Sequence, residues 1–285
     1  MYFRKEENKM NKKIIALILA ALAVVMCFAF AACGGEKATE GNAAASDLAY
    51  IQDKGKLVIG YTLFAPMNYE DDKGELTGFE TDFAKAVCAE LGLEAEFQLI
   101  SWAAKETELA SKNIDCIWNG MTITPEREET MSISTPYMAN KQVLIVKKEN
   151  ADKYLKAEDM KDVAIVAEQE SAGEGVAQTD AFFADAKYTA VQDQATALKE
   201  VKAGTAEGCV VDYVLSIGMI GEGTDYEDLV VVDSLAFADE QYGIAFRKGS
   251  DTTAAVNEAI SKLVANGKLA EIAANYKLTE QIIAK

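Results

Sequence analysis

The sequence predicts an α/β protein with mostly parallel sheets. Short β-rich runs alternate along the chain with segments whose apolar residues recur at helical spacing, as expected where helices connect parallel strands. The chain has 285 residues, so the part that follows a short N-terminal region is long enough for one large or two medium domains. No linker rich in proline or glycine interrupts the chain near residue 140, which favours a discontinuous first domain over two domains in succession.

The N-terminal segment 1–32 is predicted to be a lipoprotein signal peptide. A basic head precedes an uncharged apolar run that ends in small residues before Cys33. Cys33 after two alanines resembles a bacterial lipobox with Phe30 in place of the usual leucine, so we expect cleavage before Cys33 and lipidation of its thiol. The length of the apolar run also permits an uncleaved anchor that spans the membrane. Both versions place the rest of the chain outside the cell, tethered to the membrane.

Residues 33–48 are predicted to form a flexible, lipid-anchored tether, because small and polar residues dominate there without an apolar pattern. The formal net charge of the full chain is -18. Removal of segment 1–32, which carries five basic and two acidic residues, changes that charge to -21. An acidic surface of this kind repels phosphate backbones, so no nucleic-acid partner is expected.

The residue types that most often carry catalysis or bind metal are scarce. Histidine is absent, which removes the commonest general base and the commonest zinc ligand. Cys88, Cys116 and Cys209 lie in apolar segments without C-x-x-C spacing, so buried, inert thiols are expected. The acidic turn at 70–75 lacks the ligand spacing of an EF-hand and is predicted to be a hairpin turn. We therefore expect no metal, no cofactor and no catalytic residue.

The first βα series begins with the β-rich run after residue 55. Its helix 81–91 places Phe83, Val87 and Leu91 on one face. Its last helix follows a buried strand and begins with Thr124 as N-cap and a proline at the first helical position, where the missing N–H is tolerated. The predicted strands of this series are 56–62, 95–100 and 115–118, and its predicted helices are 81–91, 103–111 and 125–131.

The second βα series begins with a strand at 142–147. After this series ends, the chain is predicted to form one more strand and two helices. The crossings between the two domains are predicted at 137–138 and 240–242. The helix 252–265 has Val256 and Ile260 on its inward face. The remaining predicted strands are 163–167, 188–191, 208–211, 229–233 and 242–247, and the remaining helices start near 173 or cover 195–203, 213–219, 252–265 and 268–276.

Arg127 is a cation in the first turn of a predicted helix, where the helix dipole already places partial positive charge. Free backbone N–H groups, the dipole and a guanidinium together make a binding site for a carboxylate. The alternative is a pairing of Arg127 with Glu126, Glu128 or Glu129 on the helix surface.

The run Gly-Phe-Glu-Thr-Asp-Phe at 78–83 resembles the signature of the family 3 extracellular solute-binding proteins, the polar amino-acid receptors of ABC importers. The resemblance implies a periplasmic-binding-protein-like type II fold, in which two hinge strands join two α/β lobes. The implied bounds are 49–140 and 239–285 for the first lobe and 141–238 for the second. Further matching residues are 120–127, 134–137, 171–173 and Asp212.

The resemblance also implies the roles of residues around a bound amino acid. Arg127 would bind the α-carboxylate, assisted by the Thr122 amide and the helix N-terminus at 171–173. Asp212 of the second lobe would bind the α-ammonium, together with the Gly120 carbonyl and the Thr122 hydroxyl. The expected ligand-binding residues are Phe64, Trp102, Gly120, Met121, Thr122, Arg127, Ser171, Ala172, Gly173 and Asp212.

Phe64 and Trp102 would enclose the ligand side chain, since aromatic rings supply apolar area with few rotatable bonds. Several of these residues have a structural alternative. Phe64 and Trp102 could be core aromatics, and Asp212 could be the N-cap of the helix that follows it. Ser171 and Gly173 could form only a turn and a cap.

A neutral polar side chain is the expected ligand class. Receptors for cationic amino acids in this family often carry an acidic residue shortly before the first aromatic, whereas Thr62 occupies that region here. Glu168, Gln169 and Glu170 lie near the expected pocket and could reverse this expectation.

The implied function is capture of a free amino acid by closure of the two lobes, with delivery to the transmembrane subunits of an ABC permease and its ATPase. We expect a monomer on the extracellular face of a Gram-positive-like cell membrane, held by the lipid anchor on Cys33. Two alternatives share the fold: an enzyme similar to cyclohexadienyl dehydratase, and a ligand-sensing domain. The absence of histidine argues against the enzyme, and a sensor would need a kinase or channel segment, which we do not expect beyond Lys285.

Overall fold

A computed structural model of the chain describes residues 46–235, 237 and 239–285. The predicted signal peptide, the lipidation site Cys33 and most of the predicted tether lie outside the described residues. Within the part that the structure describes, no helix combines the length and the apolar character needed to cross a membrane.

Nine α-helices and thirteen β-strands alternate over the described residues. The helices are α1 (Asp47–Lys54), α2 (Phe79–Leu91), α3 (Lys105–Ala110), α4 (Pro125–Thr130), α5 (Ala172–Thr179), α6 (Gln194–Ala203), α7 (Tyr213–Met219), α8 (Thr252–Ala265) and α9 (Lys268–Asn275). The strands are β1 (Lys56–Tyr61), β2 (Tyr69–Glu70), β3 (Leu76–Thr77), β4 (Glu94–Leu99), β5 (Cys116–Ile117), β6 (Met131–Ile133), β7 (Met138–Lys147), β8 (Ala164–Glu168), β9 (Lys187–Val191), β10 (Gly208–Asp212), β11 (Leu229–Val231), β12 (Asp239–Tyr242) and β13 (Ala245–Arg247).

Two separate sheets define two lobes. Lobe 1 is built on a five-stranded sheet of order β4-β1-β5-β13-β6, and lobe 2 on a sheet of order β11-β7-β10-β8-β9. Strands β2 and β3 form the hairpin that was predicted around residues 70–75. The two-lobed α/β fold is thus the one that the sequence predicts.

Both sheets are mixed, so the prediction of mostly parallel sheets is wrong. In lobe 1, β1 is parallel to β4 and β5, whereas β13 is antiparallel to β5 and β6. In lobe 2, β8 is parallel to β9 and β10, whereas β7 is antiparallel to β10 and β11. The antiparallel members are the strands that enter or return from the other lobe, so they run against the βα units beside them.

The two crossings between the lobes pair with each other. Strand β12 is antiparallel to the first half of β7, with Met138 opposite Tyr242 and Lys141 opposite Asp239. Because β7 continues without a break from this pairing into the sheet of lobe 2, no single residue separates the lobes. The bounds 49–140, 141–238 and 239–285 therefore stay a proposal.

The predicted strand 242–247 is wrong, since the chain forms two strands there in different sheets. Strand β12 ends at Tyr242, and β13 begins at Ala245 after Gly243 and Ile244. Gly243 donates its N–H to the Met121 carbonyl at 3.0 Å, which ties the break to lobe 1. A continuous apolar pattern cannot reveal where a strand passes from one sheet to the next.

The aromatic and cysteine residues of the apolar segments are buried, as their positions in the sequence predict. Trp118 is fully buried against Phe83, with ring centroids 5.1 Å apart and nearly perpendicular. Cys88, Cys116 and Cys209 are buried and unpaired, and burial raises the pKa of each thiol. The prediction that these thiols are buried is therefore confirmed.

Candidate ligand-binding site

A small cavity lies between the two lobes, at the carboxyl ends of β5, β8 and β10. Its volume is about 10 Å³, roughly enough for one water molecule. Any larger ligand requires the lobes to separate or the lining side chains to turn. Lobe 1 contributes Trp102, Asn119, Gly120, Thr122 and Arg127, and lobe 2 contributes Glu168, Ser171, Ala172, Gln194 and Asp212.

Seven of the ten expected ligand-binding residues line this cavity: Trp102, Gly120, Thr122, Arg127, Ser171, Ala172 and Asp212. The other three lie next to it and support its walls. Phe64 packs its ring against Gly120, whose φ of 58° suits glycine. Met121 is buried in the apolar cluster of lobe 1. Gly173 lies so close to β10 that a Cβ there would be 2.6 Å from the Val210 carbonyl oxygen.

Arg127 reaches across the cavity from lobe 1 to lobe 2. Thr124 caps α4 as predicted and accepts the Arg127 N–H at 3.3 Å. The guanidinium donates to the Thr122 carbonyl at 2.8 Å and to the Glu170 carbonyl at 3.4 Å. Both acceptors are neutral, and burial lowers the pKa of the guanidinium. An anion bound here would therefore stabilise the buried positive charge of Arg127, which burial disfavours.

Asp212 lies at the end of β10 in the N-cap position of α7, but its side chain makes no capping hydrogen bond. The carboxylate instead accepts from the Gln142 amide at 2.9 Å and the Tyr242 hydroxyl at 2.8 Å. The side-chain amides of Asn140 and Gln194 also donate to it. The structural alternative for Asp212 does not apply, and the four donors fix its carboxylate at the cavity wall.

Glu240 of the hinge strand β12 shares donors with Asp212. Its carboxylate accepts from Asn140 at 2.9 Å, from Gln142 at 3.0 Å and from the Thr122 hydroxyl at 3.2 Å. Burial and the neighbouring Asp212 charge raise the pKa of Glu240 to about 7. The Thr122 hydroxyl thus already has an acceptor on the hinge, which differs from the ammonium contact expected for it.

Glu168, at the carboxyl end of β8, is the second carboxyl group of the cavity wall. It is only 4% exposed, and one of its carboxyl oxygens has no hydrogen-bond partner among the described residues. Burial, reinforced by the Asp212 and Asp193 charges, raises the pKa of Glu168 to about 8. An unpartnered acid in a buried position is costly unless it is protonated or meets a donor.

Lys105 forms the other side of the cleft together with Trp102. Its ammonium lies 4.8 Å from the Trp102 ring centroid and donates to the Glu170 carbonyl at 3.3 Å. Burial, with Arg127 nearby, lowers the pKa of Lys105 to about 8. Glu170 has a left-handed φ of 60°, and its carbonyl accepts from both Lys105 and Arg127 of lobe 1.

Glu80, from the motif at 78–83, supports the cavity from below. This buried carboxyl group accepts the Gly120 N–H at 2.8 Å and the Asn68 side-chain amide at 2.8 Å, and it also accepts the Tyr137 hydroxyl. Burial raises the pKa of Glu80 to about 7. Glu80 therefore holds the turn at Gly120 in place without lining the cavity itself.

We expect the ligand-free protein to lose stability as the pH rises from 5.5 to 8. Glu80, Glu168 and Glu240 have folded-state pKa values of about 7, 8 and 7 against an ordinary value of 4.5. Between these values the folded state retains protons that the unfolded chain releases, so the free energy of unfolding decreases with pH. The Glu80 shift alone corresponds to about 3 kcal/mol.

Thermal unfolding measured at several pH values checks this prediction. The melting temperature should be lower at pH 8 than at pH 5.5, and Glu168→Gln should reduce the slope because it removes one of the three titrating groups. A melting temperature that increases across this window would contradict the assignment of the three buried acids.

Sequence reasoning did not place Asn119 and Gln194 in the site and placed Glu168 only near the expected pocket, although all three line the cavity. For two of them, the sequence contains a signal that could have assigned them to the site. Asn119 and Glu168 are polar residues at the end of apolar strands, in the same kind of position as Asp212. Polar residues at the carboxyl ends of neighbouring strands converge on one edge of a sheet. Gln194 begins a helix, and nothing in the local pattern distinguishes it.

Comparison with known proteins places these features in a family. The sequence model of the bacterial extracellular solute-binding proteins, family 3, matches residues 57–279. The L-cystine-binding protein TcyJ of Escherichia coli K12 is 29% identical over 224 residues, which cover 77% of this chain and 81% of that protein. The ABC transporter glutamine-binding protein GlnH of Bacillus subtilis is 29% identical over 273 residues, which cover 92% and 96%.

A similar solved structure is that of an ancestral amino acid-binding protein, a precursor of cyclohexadienyl dehydratase. It is 32% identical, has a TM-score of 0.73, and covers 81% of this chain and 99% of its own. The match extends over both lobes and agrees with the two-lobed fold.

Proposed function

Because the chain belongs to the bacterial extracellular solute-binding proteins of family 3, we propose that it captures a free polar amino acid between its lobes and delivers it to an ABC permease. The observation that carries this proposal is the placement of Arg127 and Asp212 on opposite walls of one cavity. A cation on lobe 1 and an anion on lobe 2 match the carboxylate and the ammonium of an α-amino acid.

Arg127 is the residue that we assign to the α-carboxylate. Its guanidinium donates only to neutral carbonyls of Thr122 and Glu170 among its described hydrogen bonds. The N-terminus of α5, which begins after Ser171, faces the same cavity and adds free backbone N–H groups. Asp212 is assigned to the α-ammonium, because its four donors hold the carboxylate in a fixed orientation.

Closure follows from the division of these contacts between the lobes. A ligand held by Arg127 and Asp212 at once stabilises the arrangement in which both walls are close. The Glu170 carbonyl of lobe 2 already accepts from Arg127 and Lys105 of lobe 1. The closed form is the one that a permease would recognise, and release into the permease would follow from reopening.

Gly218→Ala is expected to weaken ligand binding about tenfold without touching the ligand. Gly218 of α7 in lobe 2 lies against Pro66 of lobe 1, and a Cβ there would be 2.8 Å from the Pro66 Cδ atom. The added methyl group therefore opposes closure, at a cost on the order of 1 kcal/mol. Calorimetric titration measures the affinity, and small-angle scattering of the ligand complex should show a larger radius of gyration than the wild type.

Gly175→Ala is the matched control, because Gly175 also lies in a helix of lobe 2 but has no atom within 4 Å of the Cβ position. It should bind like the wild type. Equal affinities of the two variants would rule out close approach of Pro66 and Gly218 in the bound state.

The neutral side-chain class, the lipid anchor on Cys33, the monomeric state and the extracellular face of the membrane belong to the same proposal. The neutral class rests on Thr62, which stands where receptors of cationic amino acids often carry an acid. Labelling of cells with a radioactive fatty acid, in the native chain and in Cys33→Ala, tests the anchor.

The experiment that tests the function is a thermal-shift screen of residues 46–285 against the twenty amino acids and cystine. A ligand that binds only the folded state raises the melting temperature, because it stabilises that state by RT ln(1 + L/Kd), where L is the free ligand concentration. Hits are then titrated by calorimetry. Their binding is also followed by tryptophan fluorescence, because Trp102 lines the cavity. No shift with any of these compounds would reject the proposed function.

A second candidate, a dehydratase of cyclohexadienyl acids, has one observation in its favour. The cleft contains Glu168 and Glu240, two buried carboxyl groups whose pKa values are raised to about 8 and about 7, as suits a general acid near neutral pH. The sequence alone did not predict such groups. Turnover of a prephenate-like acid, lost in Glu168→Gln, would establish the enzyme, whereas tight amino-acid binding without turnover establishes the carrier.

A further inference from the structure

The cavity wall contains one carboxyl group that the amino-acid backbone of a ligand does not use. Arg127 and Asp212 account for the α-carboxylate and the α-ammonium under the proposed function. Glu168 remains, 4% exposed and with one carboxyl oxygen unpartnered among the described residues. It lines the same cavity as the other two, so this oxygen is available to a ligand.

Two neighbours of Glu168, Gln194 and Lys105, carry hydrogen-bond donors. The side-chain amide of Gln194 donates to Asp212 and also acts on Glu168, whose pKa it lowers against the larger effect of burial. The ammonium of Lys105 lies over the Trp102 ring and donates to the Glu170 carbonyl. One carboxyl oxygen of Glu168 nevertheless has no partner among the described residues, and burial without a partner is unfavourable for a carboxyl oxygen.

We propose that Glu168 accepts a hydrogen bond from a second nitrogen of the ligand, beyond its α-ammonium, and so selects amino acids that carry an N–H group on the side chain. This inference rests on the proposed function. It restricts the polar amino acids to those with an N–H group on the side chain, and it admits cationic side chains beside the neutral class that Thr62 favours. The groups that qualify are a carboxamide, an ammonium, a guanidinium, an imidazole and the second amino group of a linked pair of amino acids.

Charge decides how each group would bind. The zwitterionic part of the ligand offsets the charges of Arg127 and Asp212, so the remaining charges that act on Glu168 are those of Asp193, which raises its pKa, and Lys105, which lowers it. A neutral carboxamide fits a protonated Glu168, whose C=O accepts the amide N–H while its O–H donates to the amide oxygen. A cationic group fits the ionised form and displaces the proton to solvent.

The same position excludes acidic ligands. The side-chain carboxylate of aspartate or glutamate would lie against Glu168, and two carboxyl groups at contact distance cannot both be ionised without a large penalty. Side chains without any N–H, such as those of serine and methionine, leave the Glu168 oxygen unpartnered and gain nothing from it.

The test is calorimetric titration of residues 46–285 with glutamine, asparagine, arginine, lysine, histidine, cystine, glutamate, aspartate, serine and methionine. The tightest ligand should carry a second N–H group and bind at least about 30-fold more tightly than glutamate and serine. Glu168→Leu should reduce the affinity for that ligand at least about 30-fold, in line with the loss of a buried acceptor. Glu149→Gln, an exposed acid of lobe 2, should bind like the wild type.

Glu168→Gln keeps the size of the side chain and serves as a second variant if Glu168→Leu does not fold. Thermal unfolding of both variants shows whether they are folded. Titrations at pH 7 in two buffers of different ionisation enthalpy then separate the two binding modes. Release of about one proton on binding, absent in Glu168→Gln, indicates a cationic ligand, and binding without proton transfer indicates a carboxamide. Both results support the role of Glu168.

Two results would overturn it: a tightest ligand that lacks a second N–H group, or unchanged affinity in both Glu168 variants. In either case an amino acid still binds, so the proposed function survives. Failure of every compound to bind, in contrast, rejects the function and this inference together.

Discussion

Replacement of Arg127 by alanine is expected to reduce ligand affinity by at least about 2 kcal/mol, a factor of roughly 30. The guanidinium is the cation of the lobe 1 wall and now donates to the Thr122 and Glu170 carbonyls. Without it, the α-carboxylate would be buried against neutral groups and the N-terminus of α5 alone. Arg127→Lys keeps the charge but loses the planar pair of donors, so its affinity should lie between those of the wild type and the alanine variant.

A ligand analogue makes this test specific to the carboxylate. The α-carboxamide of the preferred amino acid lacks the anion, so the wild type should bind it at least about 30-fold more weakly than the parent ligand. In Arg127→Ala this preference should decrease to the smaller part that the N-terminus of α5 contributes, because the cation that distinguishes the two compounds is gone. If the variant still prefers the carboxylate to the same degree, another residue binds it.

Arg247, an arginine with a structural role, is a useful comparison for Arg127. Arg247 forms ion pairs with Asp47 and Asp115 and donates to the carbonyls of Leu109 and Ile114, which fastens α1 to lobe 1. Its loss should lower the melting temperature. Arg127→Ala breaks only hydrogen bonds to carbonyls at the cleft, so its melting temperature without ligand should change little.

Replacement of Asp212 by alanine is expected to cost a similar amount of affinity, at least about 2 kcal/mol. The carboxylate is the anion assigned to the α-ammonium, and its orientation depends on donors from Asn140, Gln142, Gln194 and Tyr242. The variant leaves these donors without their shared acceptor, so the melting temperature should also decrease. Affinity must therefore be measured at a temperature where the variant is fully folded.

The α-hydroxy analogue of the preferred amino acid separates the two effects. It lacks the ammonium but keeps the carboxylate and the side chain, so the wild type should discriminate strongly against it. In Asp212→Ala this discrimination should disappear, whereas a purely structural role would weaken both compounds equally and preserve it. Glu149→Gln, a charge change on the exposed surface of lobe 2, should keep the discrimination of the wild type.

Local pattern was sufficient for most elements of the fold. Helix α4 begins at Pro125 after its predicted cap Thr124, and helix α7 covers Tyr213–Met219 as expected. Such elements follow from residues within one or two turns of each other, namely caps, apolar spacing and the absence of a breaker. The position of Arg127 in the first turn of a helix is likewise predicted from the residues next to it.

The sequence by itself determined the two-lobed α/β fold, the buried thiols and the strand-end position of Asp212. Only the tertiary structure decided which polar groups face one another. Asp212 meets Asn140 from 72 positions away, and Glu168 lines the cavity with an oxygen that no neighbour occupies. Desolvation and the supply of donors depend on elements that are distant in the chain, so the strand-end position of Glu168 indicates a place near the site but not its burial or its protonation.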